Sequence, residues 1–109
     1  MSISAAMSVA MAGMRAQAVR AAAIAQNVAH AGAPGHARVA APAVTQAGGG
    51  VVAQPRPAPS WPDRSEIDLA AEILDITETQ IAFKASAVMF ETGADMWEML
   101  AAAFDGKRR

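Results

Sequence analysis

Two histidines, His30 and His36, are the side chains best suited to bind a metal ion, because the chain contains no cysteine. They flank a Gly/Pro turn, and no acidic residue lies near them in the sequence. A zinc site needs three or four converging ligands. We therefore interpret both as ordinary polar residues of a turn. The three consecutive glycines at 48–50 lack the Lys-Ser/Thr of a phosphate-binding loop, so they predict a flexible turn and no cofactor.

Six acidic residues could in principle supply paired carboxylates for acid–base catalysis. They are Glu72, Asp75, Glu78, Glu91, Asp95 and Glu98. At intervals of three and four residues, such acids are more typical of a solvated or salt-bridging helix face. No Ser-His-Asp set occurs locally. We therefore predict no enzyme, no catalytic residue and no small-molecule substrate.

The composition limits what the chain can build alone. Of its 109 residues 53% are apolar, yet only 5% are aromatic and 29 are alanine. One domain at most is expected at this length. Its core would be small and walled mostly by alanine, so stability of the single chain is doubtful.

Charge is distributed unevenly along the chain. Residues 1–62 contain four arginines and no acid, whereas residues 63–109 contain ten acids and five basic residues. This asymmetry indicates either a solvated surface with chance clustering or attraction between the two halves, within one chain or between chains. Four scattered arginines form no dense basic stripe, so nucleic acid is not a predicted partner.

The sequence gives no sign of a membrane-spanning segment. No run of eighteen apolar residues occurs, so a transmembrane helix is not expected. Residues 1–14 are small and apolar, but the first basic residue, Arg15, follows them rather than precedes them. A secretory signal has its positive charge in front, so we expect no cleaved signal peptide.

Residues 1–31 predict one helix, because they contain no proline, a single glycine and many good helix formers. One seam repeats every seven residues through Met7, Met11, Met14, Ala18, Ala21, Ala25 and Val28. The three methionines are interpreted as adaptable packing groups rather than ligands. Gly32 predicts the end of the helix, with Pro34 just beyond it.

Residues 32–64 contain all six prolines and five of the eight glycines, so they predict a non-helical connection. The β-branched Val39, Val44, Val51 and Val52 flank the triple glycine, and this pattern favours a short β-hairpin. A flexible loop is the alternative. Residues 54–59, QPRPAP, predict an extended, polyproline-like run.

Residues 65–109 predict a second, longer helix of about 40 residues, with Ser65 and Asp68 resembling a capping box. Its main apolar stripe includes Leu69, Ile73, Ile76, Phe83, Phe90, Trp97 and Phe104. A second stripe contains Leu74, Ile81 and Val88. One stripe could be buried against the first helix, but an alanine-rich partner cannot shield all the aromatics. The chain is therefore predicted to be mainly α-helical and to need other subunits, with the seam methionines and the main stripe as its assembly interface.

Two stretches resemble a known family. Residues 25–30, AQNVAH, and 33–36, APGH, are similar to the N-terminal signature of bacterial flagellar rod and hook proteins, roughly ANNIANxxTPGY. Asn27, Ala29, Pro34 and Gly35 match it. Residues 67–88 resemble the family's C-terminal pattern, roughly VDLAEEMVxLIxAQRAYQANAKV. The matching residues there are Asp68, Leu69, Ala70, Glu72, Gln80, Ala82, Ala85 and Ala87, with Phe83 at the aromatic position.

The short middle segment makes the chain look most like the small proximal-rod proteins. The resemblance implies that the terminal helices pack as an antiparallel coiled-coil pair and that copies stack helically around a central channel. It implies a structural subunit of the basal-body rod, which spans the periplasm and transmits torque. The implied partners are copies of itself, other rod proteins and the flagellar type III export apparatus, which exports subunits without a cleaved signal.

Two alternatives remain open at the level of sequence. The first is a small secreted helical hairpin of the WXG type, but the bend reads APG and lacks the tryptophan. The second is a cytosolic coiled-coil adaptor or export chaperone. An adaptor should be fully helical as a monomer, whereas a rod subunit should be largely disordered before assembly.

Overall fold

The computed structural model describes residues 2–33, 35–58 and 67–108. The chain forms two long helices with a small β-region between them in sequence. This confirms the predicted mainly helical fold and the short β-structure between the helices. The elements in chain order are α1 Ile3–Ala29, β1 Val39–Ala40, β2 Ala43–Thr45, β3 Val51–Ala53, β4 Arg56–Pro57 and α2 Leu69–Lys107.

The ends of α1 follow from local hydrogen bonding. Ser2 is the N-cap, and its hydroxyl accepts a hydrogen bond from the Ala5 amide at 3.0 Å. The helix ends at Ala29, two residues before the predicted limit, and His30 is the C-cap. Gly32 follows with φ +82°, a left-handed conformation that only glycine adopts at little cost. The predicted role of Gly32 as a stop is therefore confirmed.

The start of α2 differs from the sequence prediction. Asp68 is itself the N-cap, and its carboxylate accepts hydrogen bonds from the amides of Ala70 and Ala71. The capping box was wrong in placing Asp68 inside the helix; Ser65 lies outside the described residues. The helix then runs for 39 residues, about 58 Å.

The two long helices pack side by side in opposite chain directions. Near one end, a Cβ added to Gly93 of α2 would lie 2.6 Å from Met7 Cγ of α1. In the middle, a Cβ added to Gly13 of α1 would lie 2.9 Å from Ser86 Oγ. At the other end, Asn27 hydrogen-bonds Glu72. Glycines at these positions let the two backbones approach closely.

The buried face of α1 is not the predicted seam. Residues of α1 that meet α2 include Met7, Gly13 and Asn27, and the buried residues of α1 are Ala10, Ala16, Ala23, Ile24 and Asn27, none of which belongs to the seam. Most seam positions follow a contact position by one residue, as Met14 follows Gly13 and Val28 follows Asn27, so the seam lies on the neighbouring face of the helix. Apolar alanines occur at nearly every position of α1, so apolar periodicity alone could not fix which face is buried.

The few residues of α2 that are buried have polar side chains or, at Gly93, no side chain. These buried residues are Glu72, Thr79 and Gly93. Neither apolar stripe of this helix is fully buried against α1. In the main stripe, exposure runs from the half-buried Phe90 to Ile73 at 63%, and Leu74 of the second stripe is 71% exposed. At Gly93 and Gly13 the close approach of the two backbones leaves no room for a larger side chain.

The β-region consists of two short antiparallel pairs. Strands β2 and β3 form the predicted hairpin, with Val44 opposite Val52, and Gly49 and Gly50 in its turn both have positive φ. Strand β1 pairs with β4, so Arg56 and Pro57 of the predicted extended, polyproline-like run belong to a two-stranded ladder. Pro59 lies outside the described residues.

The hairpin packs against α1, on the side away from the exposed apolar stripes. A Cβ on Gly50 would lie 3.1 Å from Ala12 Cβ, and Ala53 of β3 is buried together with Ala16 and Ala23 of α1. Small residues on both sides therefore let the turn and β3 lie directly on the helix. This contact occupies a second face of α1 beside the face that α2 covers.

The molecule is flat and elongated. It measures 73 × 26 × 14 Å and has a radius of gyration of 19.1 Å, whereas a globular domain of this length has about 13 Å. Its accessible surface is 7764 Å², and a compact monomer of 11.2 kDa exposes about 5,700 Å². The surplus is about 2,000 Å².

Candidate assembly surface

Asn27 ties the end of α1 to the first strand. Its amide nitrogen donates to the Val39 carbonyl at 2.9 Å, and its amide oxygen accepts from the Val39 amide at 2.8 Å. This two-bond contact imitates the pairing of one strand with another and satisfies both backbone groups of Val39. Because Asn27 is only 2% exposed, the contact is shielded from water.

A fully buried carboxylate lies next to this contact. Glu72 at the start of α2 is 0% exposed, and its Oε1 accepts from Arg38 Nε and from Asn27 Nδ2, the latter at 3.4 Å. Its Oε2 has no hydrogen-bond partner within the described parts of the chain. A buried charge is tolerated only when it is paired, so Arg38 is the residue that makes Glu72 acceptable here.

Asp75 extends the network to a second arginine. Its Oδ2 accepts from Arg38 at 3.0 Å, its Oδ1 accepts from Arg20 at 3.0 Å, and Arg20 also lies 3.8 Å from Glu78. All the ion pairs seen in the described residues thus join the basic N-terminal half to the acidic start of α2. The predicted attraction between the halves occurs within one chain. We call Asn27, Arg38, Glu72, Asp75 and Arg20 the polar junction.

The predicted seam of α1 and the main stripe of α2 do come together, but on the surface. They line a shallow groove along one face of the helix pair, which we call the helix groove. One section, about 350 Å³, lies between Val28 and Ile73, and a middle section, about 570 Å³, lies between Ala18 and Phe83. A third, about 400 Å³, is lined by Met7, Met11, Phe90 and Trp97.

Exposure of the predicted interface residues is high for apolar side chains. Ile73 is 63% exposed and Trp97 is 55% exposed, while Met7, Met14 and Phe90 are half-buried. Leu69, Ile76, Phe83 and Met11 are also exposed. The second stripe, Leu74, Ile81 and Val88, is exposed on another face of α2. These residues form the candidate assembly surface, because exposed apolar side chains of this size are uncommon in such number on a monomer.

The last part of α2 extends past the beginning of α1. Because Met7 lies against Gly93, Ile3 is level with about residue 97, and the following ten residues extend about 15 Å farther. We call residues 97–107 the α2 tip. Phe104 in this segment is 62% exposed.

The residues that carry the family resemblance occupy different places. Asn27 and Glu72, from opposite ends of the chain, meet in the polar junction. Gln80 and Phe83 line the helix groove. The others are local: Ala29 ends α1, Asp68 caps α2, and Gly35 lies in an exposed turn with φ +83°; Pro34 lies outside the described residues.

A cleft of about 370 Å³ separates α1 from the β-region and is lined partly by Arg20, Arg38, Arg56 and Asp75. The rings of His30 and His36 stack at 4.2 Å. No cluster of three or more His, Cys, Asp or Glu side chains suited to a metal occurs within the described ranges. The sequence analysis missed Arg38, because its partners lie more than 30 residues away and form no local pattern.

Searches among protein-family models, curated proteins and solved structures found no match to this chain. Neither described helix is both long and apolar enough to span a membrane.

Proposed function

We propose that this chain is a structural subunit whose function is to assemble with copies of itself through its two long helices. The observation that carries the proposal is the arrangement of side chains on α2. Glu72, Thr79 and Gly93 are buried, whereas large apolar residues such as Ile73, Leu74 and Trp97 stay more than half exposed. A helix that places small and polar residues against its own partner reserves its apolar area for another molecule.

The size of the exposed surface agrees with an obligate assembly. The surplus over a compact monomer, about 2,000 Å², is at the lower end of the range that obligate interfaces bury. Burying apolar area contributes about 25 cal/mol per Å², from which the loss of freedom on association must be subtracted. Only the apolar part of the surplus contributes in this way, so the exposed large apolar residues, rather than the total area, support the proposal.

We further propose that the assembly is the flagellar basal-body rod. Asn27 and Glu72, one from each of the two stretches that resemble rod proteins, are 45 residues apart in sequence and hydrogen-bond each other. We include in this proposal a coiled-coil pairing of α1 with α2, whose backbones run in opposite directions and approach closely at Gly13 and Gly93. A flat, elongated molecule with exposed apolar stripes suits a subunit that is stacked lengthwise around a channel.

In this role the two helices supply axial stiffness and the helix groove holds neighbouring subunits. The proposed site is the periplasmic part of the basal body, reached through the flagellar type III export apparatus without a cleaved signal. Its partners there are copies of itself and the other rod proteins. The polar junction ties the end of α1, the start of β1 and the start of α2 together by hydrogen bonds and ion pairs, in addition to the apolar contact of β3 with α1.

The assembly proposal is tested with a pair of matched variants. Phe83→Asp places a charge in the helix groove, whereas Ala85→Asp places the same charge at an exposed position of the same helix outside the groove. We expect sedimentation velocity to show large assemblies for the wild type and Ala85→Asp but only monomer for Phe83→Asp. Normal assembly of Phe83→Asp would refute the proposal.

The rod assignment is tested separately in the bacterium whose genome encodes the chain. A tagged copy should co-purify with isolated basal bodies, and Phe90→Asp should be expressed normally yet be absent from them. Assembly in vitro without any tagged chain in basal bodies would contradict the rod assignment alone. A stable, fully helical monomer at all concentrations would instead favour a coiled-coil adaptor.

A further inference from the structure

The hairpin formed by β2 and β3 has one covered strand and one open strand. Strand β3 lies on α1 and buries Ala53 there, whereas all three residues of β2, Ala43–Thr45, are exposed. Strand β2 pairs with β3 on one side, and among the described residues no strand pairs with its other side. We call that outer side of Ala43–Thr45 the free edge.

Hydrogen bonds at the two ends of the hairpin fix its pairing pattern. The Gln54 amide donates to the Pro42 carbonyl at 3.0 Å. The Gln46 amide donates to the Gly50 carbonyl at 3.0 Å. Because bonded and non-bonded pairs alternate along an antiparallel ladder, the pair midway between these two positions is hydrogen-bonded as well.

This pattern decides which backbone groups lie on the free edge. The middle pair is Val44 with Val52, so the amide and carbonyl of Val44 face β3. Those of its neighbours, Ala43 and Thr45, face the opposite way. No other hydrogen bond within the described segments uses these outward groups. An edge of this kind is a template for one more strand.

The side chains of the hairpin do not keep another strand away. Proteins often protect a free edge with charged residues, yet residues 39–55 contain none. Val44 and Val52 share the solvent-facing side of the hairpin and are 40% and 38% exposed. The free edge therefore suits an uncharged, apolar strand.

We propose that strand β2 of one copy pairs with strand β2 of a second copy, antiparallel and centred on Val44. This inference rests on the proposed function, since it names one contact between copies. In this register Ala43 of each copy lies opposite Thr45 of the other, and each such pair exchanges both of its outward N–H···O bonds. The two hairpins become one continuous sheet related by a twofold axis.

A second copy suits this edge in charge, side-chain packing and space. Neither hairpin brings a charge to the contact, so no like-charge repulsion opposes it. Val52 and Val44 of both copies would form one row across the exposed side of the sheet. The two β3 strands would lie about 14 Å apart, which exceeds the width of a helix, about 10–12 Å, so each can keep its own α1.

The contact is tested by disulfide trapping, because the chain has no cysteine of its own. Two copies of residue 44 would face each other with Cα atoms about 4.5 Å apart, within the range of a disulfide. Two copies of residue 52 would be about 15 Å apart, too far for one. Val44→Cys is therefore the test, and Val52→Cys, similarly exposed on the same side, is the matched control.

Circular dichroism first establishes that both variants keep the helix content of the wild type. Each is then mildly oxidised at a concentration at which the wild type assembles, and cross-linked dimer is measured by non-reducing electrophoresis. We expect at least tenfold more dimer from Val44→Cys than from Val52→Cys.

A second pair of variants tests the hydrogen bonds themselves. Thr45→Pro removes an amide of the free edge without removing a bond of the hairpin, whereas Thr45→Val keeps that amide. Sedimentation velocity measures the concentration at which half of the chain is assembled. We expect this concentration to be at least tenfold higher for Thr45→Pro than for Thr45→Val.

Equal dimer yields from the two cysteine variants, or equal assembly of the two Thr45 variants, would overturn the strand contact. Assembly of the wild type that is lost in Phe83→Asp would leave the proposed function standing in either case. If the wild type remains monomeric at every concentration, the proposed self-assembly fails first, and the strand contact fails with it.

Discussion

Replacing Arg38 should destabilise the fold far more than its partial exposure indicates. The guanidinium is the cation paired with the fully buried Glu72. After Arg38→Ala, Glu72 would keep only the Asn27 amide, 3.4 Å away, and one of its oxygens is already without a partner in the described structure. Removing one member of a buried ion pair costs about 3–5 kcal/mol, because the other charge stays buried and uncompensated.

The matched control is Glu78→Ala. Glu78 lies 3.8 Å from Arg20, and its side chain is 66% exposed. Exposed ion pairs contribute about 0–1 kcal/mol, so the two variants should differ by at least ~2 kcal/mol. A second control, Arg38→Ala/Glu72→Gln, replaces the stranded carboxylate with a neutral amide and should recover ~1 kcal/mol or more relative to Arg38→Ala.

The assay is urea unfolding followed by circular dichroism at one fixed protein concentration, because assembly makes stability concentration-dependent. For a chain of this size a loss of ~3 kcal/mol lowers the midpoint by about 1–3 M urea. If Arg38→Ala unfolds at the same urea concentration as Glu78→Ala, the ion pair does not hold the junction. If the double variant recovers nothing, the buried carboxylate is not the cause.

Two further predictions concern the helix pair and the first strand. Gly93→Ala would place a Cβ 2.6 Å from Met7 Cγ. It should therefore lower the free energy of unfolding by about 1–3 kcal/mol. Gly106→Ala, with nothing within 4 Å, should raise it by up to ~1 kcal/mol; equal effects in a thermal melt would contradict the close helix approach. Asn27→Ala removes both bonds to Val39, so the Val39 amide should exchange with deuterium at least tenfold faster, and unchanged protection would argue against the strand-like contact.

The helices and the hairpin were accessible to sequence reasoning because their causes are local. The segment that became α1 has no proline and is rich in good helix formers. The triple glycine allows the positive φ that the hairpin turn needs at Gly49 and Gly50. These features depend on neighbouring residues alone, so a single sequence predicts them.

The packing of the helices was not accessible in the same way. Apolar periodicity located the exposed groove rather than the contact between α1 and α2, because that contact depends on glycines and on polar residues such as Asn27 and Glu72. Arg38, Glu72 and Asn27 satisfy one another across 34 and 45 residues of sequence. No local sequence pattern predicts such a network. Glu72 becomes buried only because the folded chain brings Arg38 and Asn27 next to it.

The thinness of the molecule has a consequence for how substitutions in it are interpreted. A body 14 Å across is little more than one helix thick, so few side chains lie deeper than a single layer. Most of the chain's response to mutation will therefore be set by what lies against its outer faces. A survey of tolerated substitutions in the isolated chain and a survey in living cells should disagree most along the outward side of α2.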